Sequence, residues 1–263
     1  VCGDFNPCMI ILNNDLSDGV PDILQQSKQM ILPSTKLGWS HRLKSGHFYH
    51  YEQVVSEFSA MIKLDPWLIN PLFDTCQAVD FIKREDCLVK KVAEMLEKVQ
   101  QKYDEYRITQ TPFIVIKADS GTYGMGVMMV RDAEEIRHLN RKQRTRMSAT
   151  KGSKKLNRVI LQEGVYTFET WGEDKAVAEP VVYMLGQYVI GGFYRVHKGR
   201  GQTENLNAPG MHFEPLAFAD VCNNPDASLA PEENVNRFYA YGVVARLAAL
   251  AAAREIAEVE AAL

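Results

Sequence analysis

The chain has 263 residues, a net charge of −3, 46% hydrophobic residues and 24% charged residues. This is the balance of a globular protein with room for one large domain or two smaller ones, and it carries no global basicity that would draw nucleic acid or a membrane. No apolar run reaches the length of a membrane span.

The chain opens Val1-Cys2-Gly3, without a methionine or a secretory signal, and reads as a segment of a longer protein. Its cysteines, Cys2, Cys8, Cys76, Cys87 and Cys222, are odd in number and irregularly spaced, with no C-x-x-C pair. That pattern predicts neither a zinc site nor a disulfide framework and fits a reducing cytoplasm.

Met9 to Leu12 predicts a short buried parallel strand ending at Asn13, Asn14 and Asp15. Polar residues at the carboxyl end of such a strand line the ligand crevice of open α/β sheets, and they also form Asx turns. Asn14 and Asp15 are candidate contacts to a small polar substrate. Pro21 predicts the start of a short helix. Leu37 to Phe48 is dense in donors, and Arg42, Lys44 and His47 are candidates for holding a carboxylate or phosphate. Glu52 to Ile62 has helical spacing, and Leu64 to Pro71 reads as a proline-bounded loop. Cys87 to Tyr106 predicts a long amphipathic helix with Val89, Val92, Met95, Leu96 and Val99 on one stripe.

The central stretch runs from Phe113 to Val130. Phe113 to Ile116 predicts a buried strand and Lys117 closes it. Gly121, Gly124 and Gly126 then punctuate a loop before a second apolar run. Glycines let a backbone approach a ligand closely, and successive N–H groups in such a loop bind anions. The spacing is G-x-x-G-x-G with a lysine upstream. It therefore differs from the dinucleotide fingerprint, from the P-loop and from the kinase loop. The strand, lysine and glycine hairpin fit the nucleotide-covering loop of ATP-grasp ligases: Lys117, Gly121, Thr122, Tyr123, Gly124, Met125 and Gly126.

Asp132 and Glu135 predict a capped helix start. Residues Arg137 to Arg158 carry nine Lys or Arg and no acid, but lack the aromatic interleaving of a nucleic-acid surface. Val159 to Val165 predicts a strand, and Gln162, Glu163 and Val165 are candidates for the adenine edge and ribose. Ala178 to Val196 predicts a β-hairpin turning at Gly186-Gln187 and ending on Arg195, His197, Lys198 and Arg200, candidates to meet developing phosphoryl charge. Glu204, Asn205 and Asn207 offer hard oxygen ligands for magnesium. Pro231 to Leu263 predicts one long helix whose alanines pack closely on a sheet.

Long runs carry a resemblance: IVIKADSGTYGMGVMMV, LQEGVYTFE, AVAEPVVYMLGQYVIGGFYRVH, ENLNAPGMHFEPLAF, NNDLSDGVPDIL and GWSHRLKSGHF. From Asp4 to about Ala253 the chain resembles the proteobacterial glutamate–cysteine ligases of the ATP-grasp type. The resemblance implies an α/β (α+β) ATP-grasp fold preceded by a partial Rossmann-like subdomain. Residues 1–75 would form that substrate-side part. Residues 76–263 would form the grasp region, with a glycine-hairpin lobe at about 113–165 and a nucleotide and metal lobe at about 166–263. Family members would carry a further amino-terminal region.

The implied reaction uses ATP and Mg2+ to phosphorylate the γ-carboxylate of glutamate, which the amine of cysteine then attacks. Lys117 and Arg195 would be catalytic. Asn14, Asp15, Arg42, Lys44 and His47 would bind substrate, and Glu204, Asn205 and Asn207 the metal. Many ATP-grasp enzymes place an aspartate and an E-x-N pattern on late strands, and none follows Asn207. Two other readings stay open: another carboxylate–amine ligase, such as a glutathione synthetase-like enzyme, and a nucleotide-binding module without catalysis. Small-molecule partners are expected, with neither nucleic acid nor membrane.

Overall fold

The computed structural model describes residues 5–12, 14, 16, 19–38, 42–77, 85–120, 127–138, 158–215 and 237–261. In chain order the elements are β1 (Met9–Ile11), α1 (Asp22–Gln25), β2 (Met30–Leu32), α2 (Lys44–Ile62), β3 (Phe73–Gln77), α3 (Glu85–Glu105), β4 (Ile114–Ala118) and β5 (Met128–Val130). Then come α4 (Glu134–Arg137), β6 (Arg158–Glu163), β7 (Thr170–Trp171), β8 (Ala176–Leu185), β9 (Tyr188–His197), β10 (His212–Pro215) and α5 (Arg237–Ala261). The result is a mixed α/β protein. Among the described residues β1 and β2 pair in parallel, and two four-stranded sheets, β3-β6-β4-β5 and β10-β9-β8-β7, are antiparallel throughout.

The chain divides into two compact units, each discontinuous in sequence. One comprises Val1–Tyr49, Leu72–Glu163 and Arg254–Leu263; the other comprises His50–Pro71 and Gly164–Ala253.

In the first unit, α3 packs along β3, β4 and β6. Its stripe of Leu88, Val89, Val92, Met95, Val99 and Tyr103 is buried at helical spacing. Strand side chains alternate between faces, so Ile114, Ile116 and Ala118 of β4 and Val159 and Leu161 of β6 share one buried face. Burying each large aliphatic contributes about 1.5–3 kcal/mol before chain entropy is charged. Lys91 of α3 donates to Asp74 Oδ1 at 2.9 Å and to the Thr75 carbonyl at 2.6 Å, which fixes the helix against edge strand β3. Because β4 and β6 alternate, Val115, Lys117, Ile160 and Gln162 point to the opposite face.

In the second unit, Tyr51, Val54 and Val55 of α2 form a core with Leu247 and Ala251 of α5. Tyr51 donates its hydroxyl to the Ile69 carbonyl at 2.9 Å, and burial pushes its phenol up to about 12. A second core joins Ala176, Ala178, Tyr194 and Val196 with Trp171 and Val182. β8 and β9 turn at Gly186-Gln187, where Gly186 has φ +57°, the left-handed conformation that tight hairpins require.

Several expectations change. β1 is parallel as expected, but Ile11 is 76% exposed, so the strand is not buried. The donor-rich run Leu37 to Phe48 is helical from Lys44 onward. The alanine-bearing helix was expected to pack on a sheet, yet its core partner is helix α2. The cationic stretch between Arg137 and Arg158 lies outside the described residues from 139 to 157, as do residues 231–236 ahead of α5.

Candidate active site

The antiparallel pairing of β4 with β6 builds the first part of the site. Register sets Val115 opposite Gln162 and Lys117 opposite Ile160, so Lys117 and Gln162 are diagonal neighbours on one face. Lys117 Nζ donates to Gln162 Oε1 at 2.7 Å. A second ammonium joins them, because Lys44 Nζ donates to the Ala118 carbonyl at 2.8 Å. Burial lowers the Lys44 pKa, the Asp119 carboxylate opposes that shift, and the nearby charge of Lys117 adds to it. Two cations thus converge at the carboxyl end of β4, where the chain leads into the glycine stretch. Gly121, Thr122, Tyr123, Gly124, Met125 and Gly126 themselves lie outside the described residues, as does Asp15.

Asp119 holds this end of β4 in place. Its side chain is 1% exposed and accepts from Ser45 N and Ser45 Oγ, each at 2.8 Å, and from Arg158 Nε at 2.5 Å. The Asp119 carbonyl accepts from Lys44 N at 2.9 Å. β4 therefore caps the first turn of α2, satisfying backbone donors that a helix start leaves open. Sequence reasoning missed this role. The available signal was an aspartate directly after the strand that ends in Lys117-Ala118.

Arg42 and His47 do come together, around a carboxylate of the protein itself. Arg42 Nε donates to Glu255 Oε1 at 2.9 Å, Arg42 Nη2 to Glu255 Oε2 at 2.7 Å, and Arg42 Nη2 also to His47 Nδ1 at 3.0 Å. Burial favours the protonated form of Glu255, but its contacts with His47 and Arg42 outweigh burial and bring its pKa to about 2. Lys44 belongs instead to the cluster with Lys117.

Asn14 is exposed, and its Oδ1 accepts from Leu16 N at 2.8 Å in an Asx-type turn. Glu163 is buried, with Oε2 accepting from Leu72 N at 2.9 Å, so its carboxylate secures the entry to β3. Val165 is 67% exposed.

The second unit carries the remaining candidates. Arg195 on β9 faces Glu179 on β8 in direct register, with Nη1 donating to Glu179 Oε2 at 3.0 Å. Among the described residues, the buried Arg195 Nε has no hydrogen-bond partner. In the loop after β9, Glu204 accepts from Gly201 N and from Arg200 Nη1, both at 2.7 Å. The Gly201 amide and then Arg200 lower the Glu204 pKa. Asn205 Oδ1 accepts from Asn207 N at 3.0 Å, and Leu206 between them is buried. Carboxylate and amide oxygens suit magnesium, but Glu204 is engaged by two donors here. No group of three His, Cys, Asp or Glu among the described residues is arranged to hold a metal ion.

The family model for glutamate-cysteine ligase, GshA, matches residues 1–256. The chain belongs to the glutamate-cysteine ligase family. Its fold is also similar to the crystal structure of a proposed gamma-glutamylcysteine synthetase from Methylobacillus flagellatus KT, with a TM-score of 0.84 and 56% identity. That match covers 97% of this chain and 60% of the other, so the chain spans about three-fifths of that relative's length. No curated protein matches the chain. Among the described residues, no helix is long and apolar enough to cross a membrane.

Proposed function

We propose that the chain acts in the ATP-dependent ligation of L-glutamate, through its γ-carboxylate, to the amine of L-cysteine. The products are γ-glutamylcysteine, ADP and phosphate, and the step begins glutathione biosynthesis. The observation that carries this reading is the family match over residues 1–256, supported by 56% identity to the Methylobacillus protein. An ATP-grasp arrangement in a cytoplasmic enzyme follows from the same reading.

The chemistry needs a clamped triphosphate, neutralised charge and an acyl phosphate kept from water. Lys117 and Lys44 supply two ammonium groups for phosphate oxygens, and residues 121–126 are the proposed phosphate-binding stretch. The backbone of Gln162, Glu163 and Val165 is our proposed border for the adenine, while the buried Glu163 carboxylate stays with Leu72 N. Arg195, with its buried Nε–H, is our candidate to meet charge that grows on the transferred phosphoryl group. Asn14, Asp15, Arg42 and His47 bind the amino acid, with Glu255 holding the guanidinium in one orientation. Magnesium, when bound, would neutralise triphosphate charge, and Glu204, Asn205 and Asn207 would be its ligands.

ADP release from Mg·ATP and glutamate, measured with and without cysteine, tests the reading. Cysteine-dependent release is expected. Release stimulated by γ-glutamylcysteine and glycine but not by glutamate and cysteine contradicts it.

A further inference from the structure

His197, the last residue of β9, is a buried ring that the proposed chemistry leaves unused. Gly199 N donates to its Nδ1 at 3.1 Å, and its Nε2 lies 3.1 Å from the Pro209 carbonyl oxygen. Because Nδ1 accepts, the ring carries its proton on Nε2 and donates it to Pro209. One imidazole therefore ties together the two ends of the segment between β9 and β10.

The backbone is shaped around the ring. A Cβ on Gly210 would lie 3.4 Å from Nε2, and one on Gly199 would lie 3.5 Å from Cε1. Gly210 also has φ +97°, a conformation that strains any other residue. Buried Leu206 anchors the middle of the segment. Held between these points are Glu204, Asn205 and Asn207.

We propose that His197 is a positioning residue: its Nε2–H to Pro209 bond closes the 198–211 loop and presents Glu204, Asn205 and Asn207 to the metal-bearing triphosphate. The last clause rests on the ligase reading; the closure of the loop does not.

Three substitutions separate the two ring nitrogens. His197→Gln places an amide donor near the position of Nε2 and can still reach Pro209. His197→Asn reaches only the position of Nδ1 and can keep only the Gly199 contact. His197→Ala keeps neither. Lys198 and Arg200, with side chains 67% and 40% exposed, are trypsin sites within the loop. Cleavage after them is expected to quicken about fivefold to tenfold in the Ala and Asn variants, the range set by one hydrogen bond, and to return close to the parent rate in the Gln variant. The KM for Mg·ATP follows the same order, rising about tenfold in Ala and Asn and recovering in Gln, with kcat changing less.

Equal cleavage rates in the parent and His197→Ala overturn the closure. Faster cleavage with an unchanged KM overturns the positioning role. Rescue by Asn rather than Gln also overturns it, since Nδ1 would then be the nitrogen that matters. If the parent chain shows no cysteine-dependent ADP release, the ligase reading falls, and the order of cleavage rates still decides whether His197 closes the loop.

Discussion

Arg42 and Glu255 form a three-contact ion pair although 213 residues separate them, and His47 joins the same carboxylate from α2. The pair fastens the last turns of α5 to the segment ahead of α2. It also fixes the guanidinium that is proposed to receive the amino-acid substrate.

Glu255 makes stability depend on acid pH. Its ordinary value of 4.5 falls to about 2 in the folded protein. Stability from this group is therefore full above pH 4.5 and is lost as pH falls from 4.5 toward 2. The difference corresponds to roughly 3 kcal/mol. Glu255→Gln should lower the urea midpoint at neutral pH, and the gap to the parent should close between pH 4.5 and 2. A constant gap across that range would show that the carboxylate charge is not the source.

Asp119 carries a structural load of a different kind. Replacing it with alanine removes the cap on α2 and leaves Arg158 without its carboxylate. Breaking a buried ion pair from one side costs on the order of 3 kcal/mol. Urea unfolding of Asp119→Ala should show a loss of that size. A change below about 1 kcal/mol would place the pair with surface ion pairs.

Lys117→Ala should reduce kcat/KM for ATP about tenfold to a hundredfold, the range of one charge-assisted hydrogen bond. Thermal stability should change little, because the side chain faces away from the α3 core. Unchanged kinetics would remove Lys117 from the site.

Arg195→Ala should lower kcat on the order of a hundredfold or more while ATP affinity changes much less. Equal losses in turnover and nucleotide affinity would recast Arg195 as a ground-state binder.

Local periodicity made much of the fold legible. The α3 stripe, the β4 and β6 strands and the turn at Gly186 each follow from residues close in sequence. The start of α2 did not, because its cap comes from Asp119, just after β4, and leaves no mark near Lys44. Arg42 and Glu255 were equally opaque, since a pair separated by that much chain has no spacing to read. The same reason explains Lys44. Its donor chemistry was evident, but only the fold brings it to Lys117. Alanines in α5 signalled close packing, but the expected sheet partner proved to be helix α2.

The most direct measurement follows an oxygen. Glutamate labelled with heavy oxygen in its γ-carboxylate, incubated with Mg·ATP and cysteine, should yield γ-glutamylcysteine and transfer one labelled oxygen to each phosphate released. That result is what attack on a γ-glutamyl phosphate requires. Phosphate released without label, or released at the same rate without cysteine, would contradict the account.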